Sequence, residues 1–174
     1  MLKYFVALAI LLGVGYALYT YATPALHKPP RDYKNATYEI QGHKVTLVNG
    51  ESIVDAGGGS KTETKFFGNI AKGDVNDDGI PDVAFLVTQN GGGSGTFVYA
   101  VAALQDAEGN YSGTNGILLG DRIAPQTTEI RNGILIVNYA DRKPDEPFST
   151  PPSVGVSTYM YFDGEKLTAA SSTE

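Results

Sequence analysis

The 174-residue chain contains no cysteine. Disulfides, thiolate metal sites and a lipid-modified cysteine are thereby excluded. Tryptophan is also absent, which removes the largest aromatic face from any carbohydrate platform, while eleven tyrosines keep a glycan partner open. Histidine is scarce, with only His27 and His43. A Ser-His-Asp site would have to be built on His43, beside Lys44 at the start of a strand-like run, and no nucleophile or orienting partner is spaced around it. Positive charge is short as well. From Asn35 onward nine Lys and Arg stand against eighteen Asp and Glu, a net of −9. Such a surface repels nucleic-acid phosphates and anionic lipid, so no nucleic acid is expected among the partners.

Charge is missing altogether from Tyr4 to Ala22. Nineteen such uncharged, mostly apolar residues at ~1.5 Å each reach roughly 28 Å, close to the hydrocarbon thickness of a bilayer. Tyr4, Tyr16, Tyr19 and Tyr21 stand near its ends, where aromatic belts form. Residues 1–22 therefore read as an N-terminal transmembrane anchor, or else as a signal peptide with Lys3 as its positive start. Residues 23–34, with Pro24, Pro29 and Pro30, read as a stiff linker, and 35–174 as one domain. Positive residues flank the run on both sides, Lys3 before it and Lys28, Arg31 and Lys34 after it, so charge bias alone gives no orientation. The domain is placed outside the cytoplasm because its acidic loop suits calcium-rich surroundings.

Beyond the linker no stretch carries a helical period with a cap. Twenty-one glycines and nine prolines fit a turn-rich sheet protein. Asn49-Gly50, Asn132-Gly133 and Asp163-Gly164 each lie between strand-like runs, the strongest local hairpin signal. Val83 to Val87 and Phe97 to Leu104 are continuously apolar, as central strands covered on both faces are. Asn90 to Gly95 connects them flexibly, Asp106 to Asn110 turns the chain, and Lys143 to Pro152 forms the longest irregular loop. These features predict an all-β, mainly antiparallel sandwich or partly closed barrel of about eight to ten short strands, preceded by one N-terminal transmembrane helix.

The richest chemistry lies in Asp74-Val75-Asn76-Asp77-Asp78-Gly79-Ile80-Pro81-Asp82. Oxygen-bearing side chains alternate around a glycine, which is how a short loop wraps a hard cation such as Ca²⁺. The expected ligands are Asp74, Asn76 and Asp78 through their side chains, Ile80 through its carbonyl, and Asp82. An EF-hand needs a bidentate Glu at the twelfth position, and here that position is Phe85, within a strand. The loop, Gly73 to Val83, resembles instead the calcium loop of FG-GAP repeats, where two strands flank D-x-[DN]-x-D-G-x-x-D. FG-GAP domains are propellers of several repeats, whereas this chain has one copy, so a propeller is not expected. Over Gly73 to Phe85, Gly92 to Phe97, Leu118 to Arg122 and Ile136 to Tyr139 the chain also resembles an uncharacterised group of bacterial exported proteins and lipoproteins. That resemblance implies an extracytoplasmic domain with a calcium loop and no particular activity.

Other motifs carry less. The tract Gly91 to Gly95 lacks the Lys-[ST] ending and the following helix of a phosphate loop. Asp121-Arg122 and Asp141-Arg142 read as bonded turn residues, or as the rim of a polar pocket facing the Pro144 to Pro152 loop. The expectation is a membrane-anchored, extracytoplasmic, calcium-binding β-domain. It would act as a binding or envelope-associated module, with a protein or glycan partner and no catalytic residues. The alternatives are a cell-envelope hydrolase using a pair of carboxylates, and an accessory subunit of a membrane complex.

Overall fold

The structure is a computed structural model that describes residues 30–170. The uncharged run at 4–22, and with it the expected anchor helix, lies outside these residues. Among the described residues no helix is long and apolar enough to cross a membrane. A single 3₁₀ turn, Tyr33–Asn35, is followed by twelve strands. These are β1 (Thr37–Ile40), β2 (His43–Thr46), β3 (Glu51–Gly57), β4 (Ser60–Gly73), β5 (Asp82–Asn90) and β6 (Phe97–Gln105). They continue with β7 (Tyr111–Gly113), β8 (Ile117–Asp121), β9 (Ala124–Arg131), β10 (Ile134–Asp141), β11 (Val154–Phe162) and β12 (Leu167–Ala169). The count exceeds the eight to ten expected because several strands are only three or four residues long.

Every ladder between these strands is antiparallel. A six-stranded sheet runs β3-β4-β5-β6-β7, with β8 also paired to β6. A four-stranded sheet runs β12-β11-β10-β9, and β1 and β2 form a separate hairpin. The continuous apolar runs are explained by this layering. On one face of the six-stranded sheet Ala84, Leu86, Val98 and Ala100 meet Leu135, Val137 and Met160 of the four-stranded sheet. On the other face Val83, Phe85, Val87 and Tyr99 meet Tyr38, Ile40 and Val45 of the hairpin. The fold is therefore an antiparallel β-sandwich with a small third layer. Phe85, Leu86, Leu135 and Met160 lose all contact with water, and each such burial stabilises the fold by about 1.5–3 kcal/mol.

The turn signals divide. Asn132 and Gly133, both left-handed at φ 50° and 75°, join β9 to β10 with Arg131 opposite Ile134. Asp163-Gly164 sits in the loop between β11 and β12, where Phe162 faces Leu167. Asn49-Gly50 makes its turn too, with the Val48 N–H donating to Glu51 O at 2.8 Å. Yet the strands beside it part company: β2 pairs only with β1, and β3 with β4. Leu47 is drawn into the core, and the Gly50 carbonyl accepts the Phe66 N–H at 2.7 Å. Tertiary burial has overridden a local hairpin. The actual partner hairpin turns at Gln41-Gly42, also left-handed at φ 54° and 77°, a pair that carries a weaker signal than Asn-Gly.

Pro30 to Asn35, the end of the Pro-rich segment, lies against the domain. The Tyr111 N–H donates to Pro30 O at 2.8 Å, and the Tyr33 ring packs on Phe66, Phe85 and Tyr111. Across the same seam Gly113 lets β1 approach β7: a Cβ there would lie 2.3 Å from Thr37 O.

Candidate metal centre

The acidic loop connects the long strand β4 to the buried strand β5, and the pair Gly73–Asp82 closes it at the base. Two strands thus flank it, as its pattern requires. Gly73 has no room for a side chain, because Ile130 of β9 sits where its Cβ would be, 2.8 Å away. Asp77 and Gly79 adopt left-handed backbone, at φ 62° and 82°. An Asp is among the few residues that visit that region readily, and glycine does so without steric cost.

The loop is wound by its own side chains. Asp74 Oδ1 accepts the Asp78 N–H at 3.2 Å, and Asp74 Oδ2 accepts the Gly79 N–H at 2.7 Å. Asn76 Oδ1 accepts the Asp78 N–H at 3.4 Å, while Asp78 Oδ1 accepts the Ile80 N–H at 2.7 Å. Asn76 Nδ2 donates to Asp78 Oδ2 at 2.9 Å. Asp74, Asn76 and Asp78 are thereby joined in one array, and Ile80 is tied to it through its N–H. Asp78 and Asp77 are exposed, Asp74 and Asn76 half-buried.

Asp82 stands apart beneath them. It is completely buried, and its two oxygens accept the Val75 N–H at 2.9 Å and the Gln105 N–H at 2.8 Å. Burial pushes its carboxyl above the usual aspartate range. The two N–H bonds oppose that shift, and the negative charges of Asp78 and Asp74 add to it. No spacing in the sequence could have indicated Gln105 as the partner, since it comes from β6 by sheet pairing.

In donor type the array suits a hard cation, with the two carboxylates of Asp74 and Asp78 and the carboxamide oxygen of Asn76, to which Asp82 adds a third carboxylate from beneath. It also lacks any internal counter-charge. None of the ion pairs among the described residues involves Asp74, Asp77, Asp78 or Asp82. A carboxylate oxygen that accepts one N–H keeps a second lone pair. Among the described residues, however, no three His, Cys, Asp or Glu side chains converge as a metal-holding cluster. The residues that would hold Ca²⁺ are Asp74, Asn76, Asp78, the Ile80 carbonyl and Asp82.

The other singled-out residues have structural work. Arg122 binds both oxygens of Asp121, at 3.2 and 3.0 Å. Arg142 donates to Thr150 O at 2.6 Å and to Arg122 O at 3.0 Å. Phe148 lies under both guanidinium groups, its ring centre 4.0 Å from Arg122 Cζ and 5.6 Å from Arg142 Cζ. These residues fasten the Lys143 to Pro152 loop to the sandwich. The Asp106 turn is likewise bonded, its carboxylate accepting the N–H groups of Glu108 and Asn110. The tract Gly91 to Gly95 joins β5 to β6, and His43 sits at the exposed tip of the β1–β2 hairpin.

No family model, no curated protein and no solved structure matches the chain. The functional reading therefore rests on the residues themselves.

Proposed function

We propose that the loop from Asp74 to Asp82 binds Ca²⁺ and that the ion stabilises the domain rather than taking part in catalysis. One observation carries this reading. Four carboxylates are wound into a nine-residue loop with no basic side chain paired to any of them. Close carboxylates repel one another unless a cation is shared among them. The loop runs directly into β5, the strand buried on both faces, so a bound ion would pin the centre of the fold.

The missing twelfth-position Glu implies weak binding, with Kd ~10⁻⁵ to 10⁻³ M. Ca²⁺ at about 100 times Kd would add about 2.7 kcal/mol to folding stability. Thermal melting of the full chain with Ca²⁺, with Mg²⁺ and with chelator tests this. Ca²⁺ should raise the melting temperature, Mg²⁺ should do so poorly because it demands a tight octahedron, and Asp78→Ala should remove the effect. No rise in wild type, or an equal rise in Asp78→Ala, would sink the proposal.

The protein in this reading is a single-pass membrane protein, anchored by residues 4–22, with its β-domain outside the cytoplasm as a binding or envelope-associated module. The uncharged run and the calcium-loop chemistry support this placement. Protease shaving of intact cells should release fragments of the domain, and full protection would show that the orientation is reversed.

A further inference from the structure

The sandwich closes most of its strand edges with its own groups. On β7 the Tyr111 N–H is taken by Pro30 O at 2.8 Å. On β12 the side chain of Asn115 stands in for a neighbouring strand: its Oδ1 accepts the Leu167 N–H at 2.7 Å and its Nδ2 donates to Leu167 O at 3.0 Å. β9 lies against β4, with Ile130 filling the space over Gly73. β2 is four residues long and carries Lys44, and shortness and lysine are usual guards of an open edge. β3 has neither guard. It is seven residues long, contains no Lys or Pro, and among the described residues only β4 runs beside it.

The outward groups of β3 can be assigned. Val48 and Glu51 exchange main-chain bonds at 2.8 and 3.2 Å, while Gly50 O accepts the Phe66 N–H of β4. Main-chain groups along a strand point alternately to its two sides. Those of Gly50, Ser52 and Val54 therefore face β4, and those of Glu51, Ile53 and Asp55 face outward. Val48 occupies Glu51 and ends the open edge there. At the other end the Gly57 N–H is taken by Asp55 Oδ1 at 2.7 Å. Between these stops the N–H and C=O groups of Ile53 and Asp55 meet no other part of the described chain.

The side chains add a pattern. Ile53 and Val54 are 55% and 54% exposed, on opposite faces of the strand. Val54 shares the hairpin side with Thr62 and Phe97. Ile53 lies on the other face, between Glu51 and Asp55. Lys65 is divided between Glu51 at 3.3 Å and Glu63 at 2.8 Å, so one ammonium serves two carboxylates. Asp55 stands opposite Lys61 but forms no ion pair with it. Ile53 shares a row with Glu63 and Asn90, eight residues along β5 from Asp82 and thus ~26 Å from the acidic loop at ~3.3 Å per residue. The edge is independent of the proposed metal loop.

The geometry points to β3 as a docking edge for an extended strand of a partner protein, apolar beside Ile53 and Val54 and basic on either side of that pair. Paired antiparallel, the strand exchanges main-chain hydrogen bonds with Ile53 and Asp55. Its apolar residues cover the two exposed side chains. One basic residue faces Asp55, and the other reaches Glu51 as the strand leaves the edge at Val48. A second copy of β3 fits less well, because it would bring two more carboxylates to the Ile53 face, and like charges across strands are destabilising.

The probe is the amidated peptide Thr-Lys-Val-Val-Lys, fluorescent at its N-terminus, titrated with the full chain in non-ionic detergent. Saturable anisotropy below about 1 mM is expected, with slower hydrogen exchange at the Ile53 and Asp55 amides. The same peptide N-methylated at its first lysine and second valine keeps every side chain, loses the donors facing Asp55 and Ile53, and should not bind. Replacing both lysines by glutamate should weaken binding about tenfold, and Asp55→Lys should erase that preference. Ile53→Pro removes an outward N–H, which an edge strand tolerates, and should abolish binding. If Ile53→Pro does not fold, the N-methylated peptide and Asp55→Lys decide. Absence of saturable binding, or equal binding of the N-methylated peptide, would overturn the assignment. So would a dimer of the free chain, seen by sedimentation and dispersed by the peptide, since the occupant would then be a second copy.

Discussion

Asp82 reaches back over the acidic loop to Val75, whose N–H lies 2.9 Å from its Oδ2. The first residue of β5 thus holds the residue that follows the loop's leading aspartate. The other oxygen, Oδ1, holds the Gln105 N–H at the end of β6. One buried carboxylate therefore ties the loop to two central strands, whether or not an ion is bound above it.

Asp82→Asn should accordingly destabilise the protein by about 1–3 kcal/mol, because an amide offers one acceptor oxygen where two N–H groups need partners. Urea unfolding in the presence of chelator measures this without any contribution from calcium. A change below ~0.5 kcal/mol would show that Asp82 is not the staple.

Gly113→Ala should cost about 1–3 kcal/mol, the usual range for overpacking. Its Cβ would press on Thr37 O and the Tyr38 ring, and neither backbone nor packed aromatic has room to yield. The hairpin β1–β2 would lift first, which hydrogen exchange of Tyr38 and Ile40 would register. Gly155→Ala is the control, since nothing lies within 4 Å of its Cβ position.

Asp121 sets an acid limit on the fold. Burial acts to raise its carboxyl, but the Arg122 side chain, the Thr96 N–H and the charges of Arg122 and Arg142 outweigh that and hold it below the usual aspartate range. A lowered folded-state value means that its contribution is present above the ordinary aspartate pKa, about 3.9, and is lost as pH falls through the folded value. Asp121→Asn should flatten the loss of stability below about pH 4 relative to wild type. Parallel pH profiles of unfolding for the two proteins would contradict this.

Phe148→Ala should free the Lys143 to Pro152 loop while leaving the sandwich intact. The ring is exposed and is held by the two guanidinium groups, contacts worth about 0.5–1 kcal/mol at such a site. Limited proteolysis should cut the variant faster within this loop, with little change in melting temperature.

The chain's residues alone determined the all-β class, the two central strands and the acidic loop between strands. These are local quantities. Continuous apolar runs at Val83 and Phe97, left-handed turn residues at Asn132-Gly133 and oxygen donors at alternate positions act within a few residues of one another. What only the tertiary structure decided depends on partners far apart in sequence. Asn49-Gly50 turned as expected, yet burial of Leu47 sent β2 and β3 to different layers. Asp82 is equivalent to its neighbours as a letter, but β6 brings Gln105 to it and the core removes its water. Arg122 and Arg142 find Phe148 only because the loop folds back on the sandwich. Register and layer packing are long-range choices among many antiparallel arrangements of similar local propensity, and burial of side chains from distant strands selects between them.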